Sequence, residues 1–289
     1  MRAEIMSLGR RKVGIDEPSR WVFNRMADVY GARPAYPAAL IEALADLARS
    51  AGGDGKDPVR IADLGAGIGH VALPLAERAF DVVAIEPARL MLDQLRAAAV
   101  GRGLRLQTCH APAENLPLKN SSVDVVIIAD ALHFLDAELT AREVARVLAP
   151  GGALAVVTCE FGATPFMQEV RRVIEGAVPR RPRALVKQMV HLSSIAKVPL
   201  TVERRFHDHT PVDNATLDRI LRSISFIGPA MNPQRLEDFR ARVHGLSDAP
   251  VWARTFALHC GQRMIPAAVR RERARAAPSG SPRGSSGSK

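Results

Sequence analysis

The chain has few cysteines, few aromatic residues and no long apolar run, and each shortage excludes something. Its 289 residues include three cysteines, Cys109, Cys159 and Cys260. They are far apart, odd in number and form no C-x-x-C pair, which excludes a disulfide framework and a zinc knuckle. A reducing cytoplasm is the expected compartment. No stretch of about 18 uncharged apolar residues occurs, so no membrane span is expected. The first 15 residues are basic but have no apolar h-region, so no secretory signal is expected there. Aromatic residues make up 4% of the chain and do not alternate with basic ones in the way that stacks RNA bases. The net charge of +10 is concentrated at the ends. Arg270, Arg271, Arg273, Arg275, Arg283 and Lys289 outweigh Glu272, while Arg2, Arg10, Arg11 and Lys12 outweigh Glu4, leaving +2 for residues 13–265. The ends can attract polyanions weakly, but nucleic acid is not an expected partner.

What is present points to one large α/β domain. A hydrophobic content of 47% is enough for a sizeable core. The expected organisation is a basic arm over residues 1–18, a domain over 19–265, and a tail over 266–289 whose Gly/Ser/Pro-rich composition predicts disorder. Val59 to Leu64 is an apolar run that reads as a buried strand. It leads into Gly65, Gly67 and Gly69, and a helical pattern follows with Ala72, Leu75, Ala76 and Ala79 on one face. Strand, glycine turn, helix is how an α/β sheet makes room for a nucleotide-like ligand at a strand's carboxyl end. Glycine allows positive φ and lets a ligand lie against the backbone. The spacing is G-x-G-x-G with His70 in the sixth position, so the dinucleotide fingerprint is incomplete, and no Gly-Lys-Ser/Thr ending makes a P-loop. Asp63, just before the turn, would repel a pyrophosphate but suits a ligand carrying an ammonium group.

These residues resemble motif I of the class I S-adenosylmethionine (SAM) dependent methyltransferases, and the resemblance continues in order along residues 20–160. Val82 to Glu86 reads as a second strand ending in a carboxylate, about 20 residues beyond the first glycine, where an acid reaches ribose hydroxyls. Ala113-Glu114-Asn115-Leu116-Pro117 is similar to the family's segment beside the adenine. Pro112 stands where the family often has an acid, which leaves Ala113 and Glu114 to hold that ring. Asp124 to Ala129 reads as the fourth strand, Glu143 to Leu148 as helix, and Ala153 to Thr158 as the fifth strand after the Pro150-Gly151-Gly152 stop. Phe23 to Tyr30 and Ala32 to Pro37 resemble the N-terminal lid of a small-molecule subgroup that includes ubiquinone/menaquinone-type, trans-aconitate-type and natural-product tailoring enzymes. The resemblance implies SAM as cofactor, with Tyr30, Arg33, Asp63, Gly65, Gly67, Gly69, Glu86, Ala113, Glu114 and Ala129 as its contacts. Within that set it gives Glu86 the ribose and Tyr30 and Arg33 the methionine end; a guanidinium suits a carboxylate. Read without the resemblance, Arg33 is a surface residue and Tyr30 part of an apolar docking face.

Beyond the fifth strand the expected substrate lobe runs from about 161 to 200. It contains Arg171, Arg172, Arg180, Arg181, Arg183 and Lys187. These form a solvated face, or some of them meet an anionic acceptor. Thr201 to His207 reads as strand six, and Thr210-Pro211-Val212-Asp213 as a capping box opening a helix through Ile224. A further helix is expected over Pro233 to Val243 and a last, antiparallel strand over Val251 to Cys260. By resemblance the fold is a Rossmann-like, mostly parallel seven-stranded sheet of order 3-2-1-4-5-7-6 with helices on both faces.

The expected reaction is methyl transfer to a small-molecule acceptor, first of all on oxygen. The alternatives are a SAM-binding enzyme with non-methylating chemistry and an RNA or protein methyltransferase. The absence of an N/D-P-P-Y/F motif counts against the nucleic-acid reading. His133, after the fourth strand, is the candidate general base, with His207 and His209 as alternatives; read structurally, His133 only shapes the cleft wall. His70 reads as a helix N-terminal residue. Two histidines sharing a strand face, and Asp130 near the fourth strand, do not complete a metal-ligand set, so metal is not expected. Deleting residues 267–289 is expected to leave melting temperature and turnover unchanged, because the segment has few apolar residues to bury. A thermal melt and a labelled-SAM assay check this, and a marked loss on a small acceptor would show that the tail docks at the site.

Overall fold

The computed structural model describes residues 22–52, 58–178 and 184–264. The expected arm and tail, and Arg180, Arg181 and Arg183, lie outside the described residues.

Seven strands form one sheet of order β3-β2-β1-β4-β5-β7-β6. They are β1 (Arg60–Leu64), β2 (Asp81–Ile85), β3 (Gln107–Cys109), β4 (Val123–Ala129), β5 (Leu148–Phe161), β6 (Val202–Pro211) and β7 (Val251–Gln262). Strands β1 to β5 run parallel, and β7 lies antiparallel between β5 and β6. The central strands are buried on both faces, which is why they read as continuous apolar runs. Ile61, Val125 and Ile127 belong to one apolar layer, and Ala62, Val126 and Ile128 to the other, as the two-residue period requires.

Helix α1 (Ala27–Tyr30) is a single turn, and α2 (Ala38–Gly52) buries Leu40, Ile41, Leu44, Ala45 and Ala48 in the first layer. Helix α3 (Ala72–Ala76) follows the glycine turn and is shorter than its pattern predicts, because Ala79 has φ +64° and leaves the helical region. Helix α4 (Arg89–Gly101) follows β2. Helix α5 (Ala137–Val147), capped by Asp136, and α7 (Leu185–Ala196) close the second layer. Helices α6 (Pro165–Ala177), α8 (Asn214–Arg222) and α9 (Pro233–His244) pack on one another and on Trp252 in a third cluster.

The expected capping box at Thr210 is corrected. Thr210 and Pro211 are the end of β6, paired with Trp252 and Val251. The helix cap is Asp213, whose carboxylate accepts the Thr216 N–H at 2.6 Å, and α8 ends at Arg222. Antiparallel pairing with β7 carried the strand four residues beyond its predicted end, and Pro211, with no N–H to donate, sits at the strand terminus where it is tolerated.

Two arginines bind the N-terminal segment to the sheet and its lobe. Arg254 on β7 donates to Asp208 Oδ2 (3.0 and 2.5 Å) and to the carbonyls of Pro34 and Ala35 (2.9 and 2.6 Å). Its side chain is 7% exposed. Arg33 donates to Ser223 Oγ and to the Ser223 carbonyl at 2.9 and 2.8 Å. Removing one partner of a buried ion pair leaves the other charge desolvated, at a cost of about 3–5 kcal/mol. Arg254→Ala is expected to lower stability by about that amount, read from the urea midpoint. A change below about 1 kcal/mol would show that the pair is solvated in solution.

Candidate functional site

The glycine turn leaves β1 where β1 and β4 lie side by side. Gly65, Gly67 and Gly69 all have positive φ, +74°, +55° and +94°. Their roles differ. A Cβ on Gly65 would lie 2.7 Å from the Ala131 methyl, so the turn and the β4 tip need glycine to come this close. A Cβ on Gly69 would meet Leu73 and Leu95, so that glycine serves packing. A Cβ on Gly67 would meet nothing within 4 Å and would project into open space. Glu86, at the end of β2, accepts the Gly67 N–H through Oε2 and the Ala88 N–H through Oε1, both at 2.8 Å. It is thereby fixed against the turn.

Asp63 lies beneath the turn and is 1% exposed. Its carboxylate accepts the Ala72 N–H, yet Oδ2 is buried with no hydrogen-bond partner. Burial, and then the nearby Glu86 charge, push its pKa up to about 7.

Two cavities adjoin this turn. The smaller, 70 Å³, is lined by Gly65, Gly67, Glu86, Ala113 and Ala129, with Phe23 and Phe134 among its cover. Those two rings meet edge to face at 4.8 Å. The larger, 790 Å³, lies between the N-terminal segment, the ends of β5 and β7, and helices α6 to α8. Tyr30 and Asp130 line both. Asp130 follows β4 with φ +47°, an uncommon conformation for a residue with a side chain and one that collects at functional sites. The Tyr30 hydroxyl accepts from Arg33 Nη1 at 3.4 Å, and the guanidinium lies 4.4 Å over its ring. Burial raises the Tyr30 pKa against the opposing pull of Arg33, and Asp130 and Glu86 add to the rise, so it stays a phenol at neutral pH.

The structure sorts the residues expected from sequence. Tyr30, Gly65, Gly67, Glu86, Ala113 and Ala129 line the small cavity. Arg33 lines the large one, with two of its nitrogens on Ser223. Glu114 lines neither cavity; its Oε1 accepts the Asp136 N–H at 2.9 Å and ties the 113–117 segment to α5. His133 lines neither, because the 3-10 turn Leu132–Phe134 presents Phe134 to the small cavity and leaves the histidine ring 3.9 Å from the phenylalanine ring. His207 and His209 are exposed on β6, the edge strand, away from both cavities. Among the described residues no three His, Cys, Asp or Glu side chains are grouped to hold a metal.

The sequence reading gave Tyr36 no role of its own and took His70 as a helix N-terminal residue. Both line the large cavity, and their rings stack at 5.8 Å and 15°. His70 directly follows the glycine turn, which was the available signal. Nothing local marks Tyr36 as its neighbour.

Residues 62–156 match the family described as methyltransferase domain. The match runs from β1 to β5 and takes in the glycine turn, Glu86, Ala113 and Asp130. Residues 62–156 are thus a methyltransferase domain by this match. An uncharacterized methyltransferase of Mycobacterium tuberculosis is 43% identical over 125 residues, which are 43% of this chain and 46% of that protein. A demethylmenaquinone methyltransferase of Thermus thermophilus is 42% identical over 113 residues, 38% of this chain and 50% of that protein. The chain thus spans about half the length of these curated relatives. The YcgJ protein of Bacillus subtilis is 18% identical with a TM-score of 0.54, over 80% of this chain and all of that one, and shows the same fold. The lobe residues of the large cavity, from Phe161 onward, lie beyond the methyltransferase domain match.

The methyltransferase domain's buried acid has a consequence for stability. Asp63 ionises near pH 4 when unfolded and at about 7 when folded. Between those values the folded state holds the proton that the unfolded state has lost, so this residue's contribution falls as pH rises through the window. Asp63→Asn keeps an acceptor for Ala72. It is expected to raise the melting temperature of the ligand-free protein at pH 7.5, with the gain vanishing toward pH 4. A pH-independent difference would contradict the assignment.

Proposed function

We propose that this chain transfers a methyl group from SAM to an oxygen of a small-molecule acceptor held in the 790 Å³ cavity. The observation that carries this reading is the shared wall: Tyr30 and Asp130 border both the glycine-turn cavity and the large one. A donor on one side and an acceptor on the other would meet there, and holding two reactants in line supplies much of the acceleration such a transfer needs.

The glycine-turn residues fit SAM. The open space off Gly67 admits a ligand against the backbone, and Glu86 offers a fixed carboxylate to ribose hydroxyls. When bound, SAM supplies a sulfonium methyl whose leaving group departs neutral, so no acid is required. The protein's own part is to orient and to exclude water. Phe23 and Phe134 cover the donor side, and Arg33 and Arg254 hold the segment carrying Tyr30 and Tyr36 over the acceptor side.

An anionic acceptor has less support than the arginine-rich lobe suggested. Arg33, Arg171 and Arg254 line the cavity, but each already donates to protein oxygens. Asp130, Glu160 and Glu175 face the same space. Cys109, Cys159 and Cys260 form no disulfide, which suits work in a reducing cytoplasm.

Gly67→Val is expected to abolish SAM binding, because a β-branched side chain would fill the open space and strain a φ of +55°. Glu86→Ala is expected to weaken it by about 1.5–3 kcal/mol through lost bonds to a charged acceptor. Calorimetry with thermal melts as a folding control checks both. Unchanged affinity in folded variants would remove SAM from this turn.

A further inference from the structure

We propose that the large cavity takes a planar aromatic acceptor bearing a hydroxyl, and that His70 accepts the hydrogen bond from that hydroxyl. The proposal deepens the methyl-transfer reading and rests on it for the acceptor's role.

The first observation is where the aromatic residues are. The chain has two tyrosines, two tryptophans and nine phenylalanines. Both tyrosines, one tryptophan and two phenylalanines line this one cavity: Tyr30, Tyr36, Trp252, Phe161 and Phe226. The indole of Trp252 meets Phe161 edge to face at 5.4 Å and 72°, leaving a wall of ring faces and edges. Such walls favour flat π-systems by about 0.5–1.5 kcal/mol per ring pair beyond simple area burial. A volume of 790 Å³ is in the range of sites that enclose a drug-sized ligand.

The second observation is His70. Its Nε2 is buried and has no hydrogen-bond partner. His70 lines the cavity, and buried polar atoms are normally satisfied, so an orphan on a cavity-lining ring calls for a ligand group. The ring is held flat on Tyr36 and lies 6.2 Å from Tyr30. Burial, then Arg33, Arg254 and Arg102, lower its pKa to about 4, so the imidazole is neutral and keeps a lone pair to accept with. Meanwhile the cavity's arginines are engaged, and Asp130, Glu160 and Glu175 border the same space, which disfavours an anion. A hydroxyl on an aromatic ring meets all three demands: flat, neutral and able to donate.

The test is binding, read without methyl transfer. In a Trp21→Phe background Trp252 is the sole tryptophan, and its fluorescence reports cavity occupancy. 2-Naphthol, naphthalene, 2-naphthoate and cyclohexanol are titrated into the full chain. The expected order places 2-naphthol about tenfold tighter than naphthalene, as a net hydrogen bond of ~1.4 kcal/mol gives. Cyclohexanol and naphthoate bind more weakly still. His70→Phe is expected to erase the naphthol–naphthalene difference while naphthalene affinity persists, and His70→Gln, which keeps an acceptor, to retain most of it. Equal binding of naphthol and naphthalene, or a difference that survives in His70→Phe, would overturn the role of His70. Naphthoate or cyclohexanol binding as tightly as naphthol would overturn the acceptor class. If the binding pattern holds but labelled SAM gives no methylated product from any bound phenol, the methyl-transfer reading fails and the ring site stands.

Discussion

The architecture of the site depends on how closely Gly65 approaches Ala131. The chain leaves β1 through Gly65 and leaves β4 through Asp130 and Ala131, and an added Cβ would come within 2.7 Å of the alanine methyl. With φ at +74°, only glycine meets both the steric and the backbone demand. This is the crevice at the carboxyl ends of the strands, where open α/β sheets bind ligands. Because the two chain exits converge, the turn that would cradle a cofactor and the Asp130 corner that borders the second cavity are neighbours.

From that convergence the rest follows by short steps. Glu86 is pinned by the turn it faces, through Gly67 and Ala88. The N-terminal segment, far away in sequence, closes the top of both cavities because Arg254 and Arg33 bind it to β6, β7 and the end of α8. Apolar packing holds it as well: Met26, Ala27 and Val29 are buried with Ala88 and Met91, and the arginines fix the stretch that follows. The arginines are therefore structural before they are functional, and their engagement changes the charge the large cavity offers to a ligand.

Most of the fold was legible in the sequence because its central strands are apolar on both faces and its strongest turn is made of glycines. The strand order followed from the family resemblance. The three-residue β3 has little apolar signal, and its burial is partial. The end of β6 was misplaced because pairing with β7 outweighed a local capping pattern at Thr210. Residues next to a sequence landmark line the small cavity: Gly67 in the turn, Glu86 at a strand end, Ala129 at another. The histidines named as candidate bases line neither cavity. His133 occupies the right place along the chain, but a 3-10 turn directs its neighbour Phe134 at the cavity in its stead. Tyr36 and His70 meet only through the packing of α2 and the strap before it against the sheet, and that contact has no local signature.

The central claim is that the donor and acceptor sites share the wall formed by Tyr30 and Asp130. A crystal structure with S-adenosylhomocysteine bound tests it most directly. The account predicts the ribose on Glu86 and the sulfur at the Tyr30–Asp130 wall, open to the aromatic cavity. A nucleoside bound away from Glu86, or a sulfur sealed off from the large cavity, would contradict it.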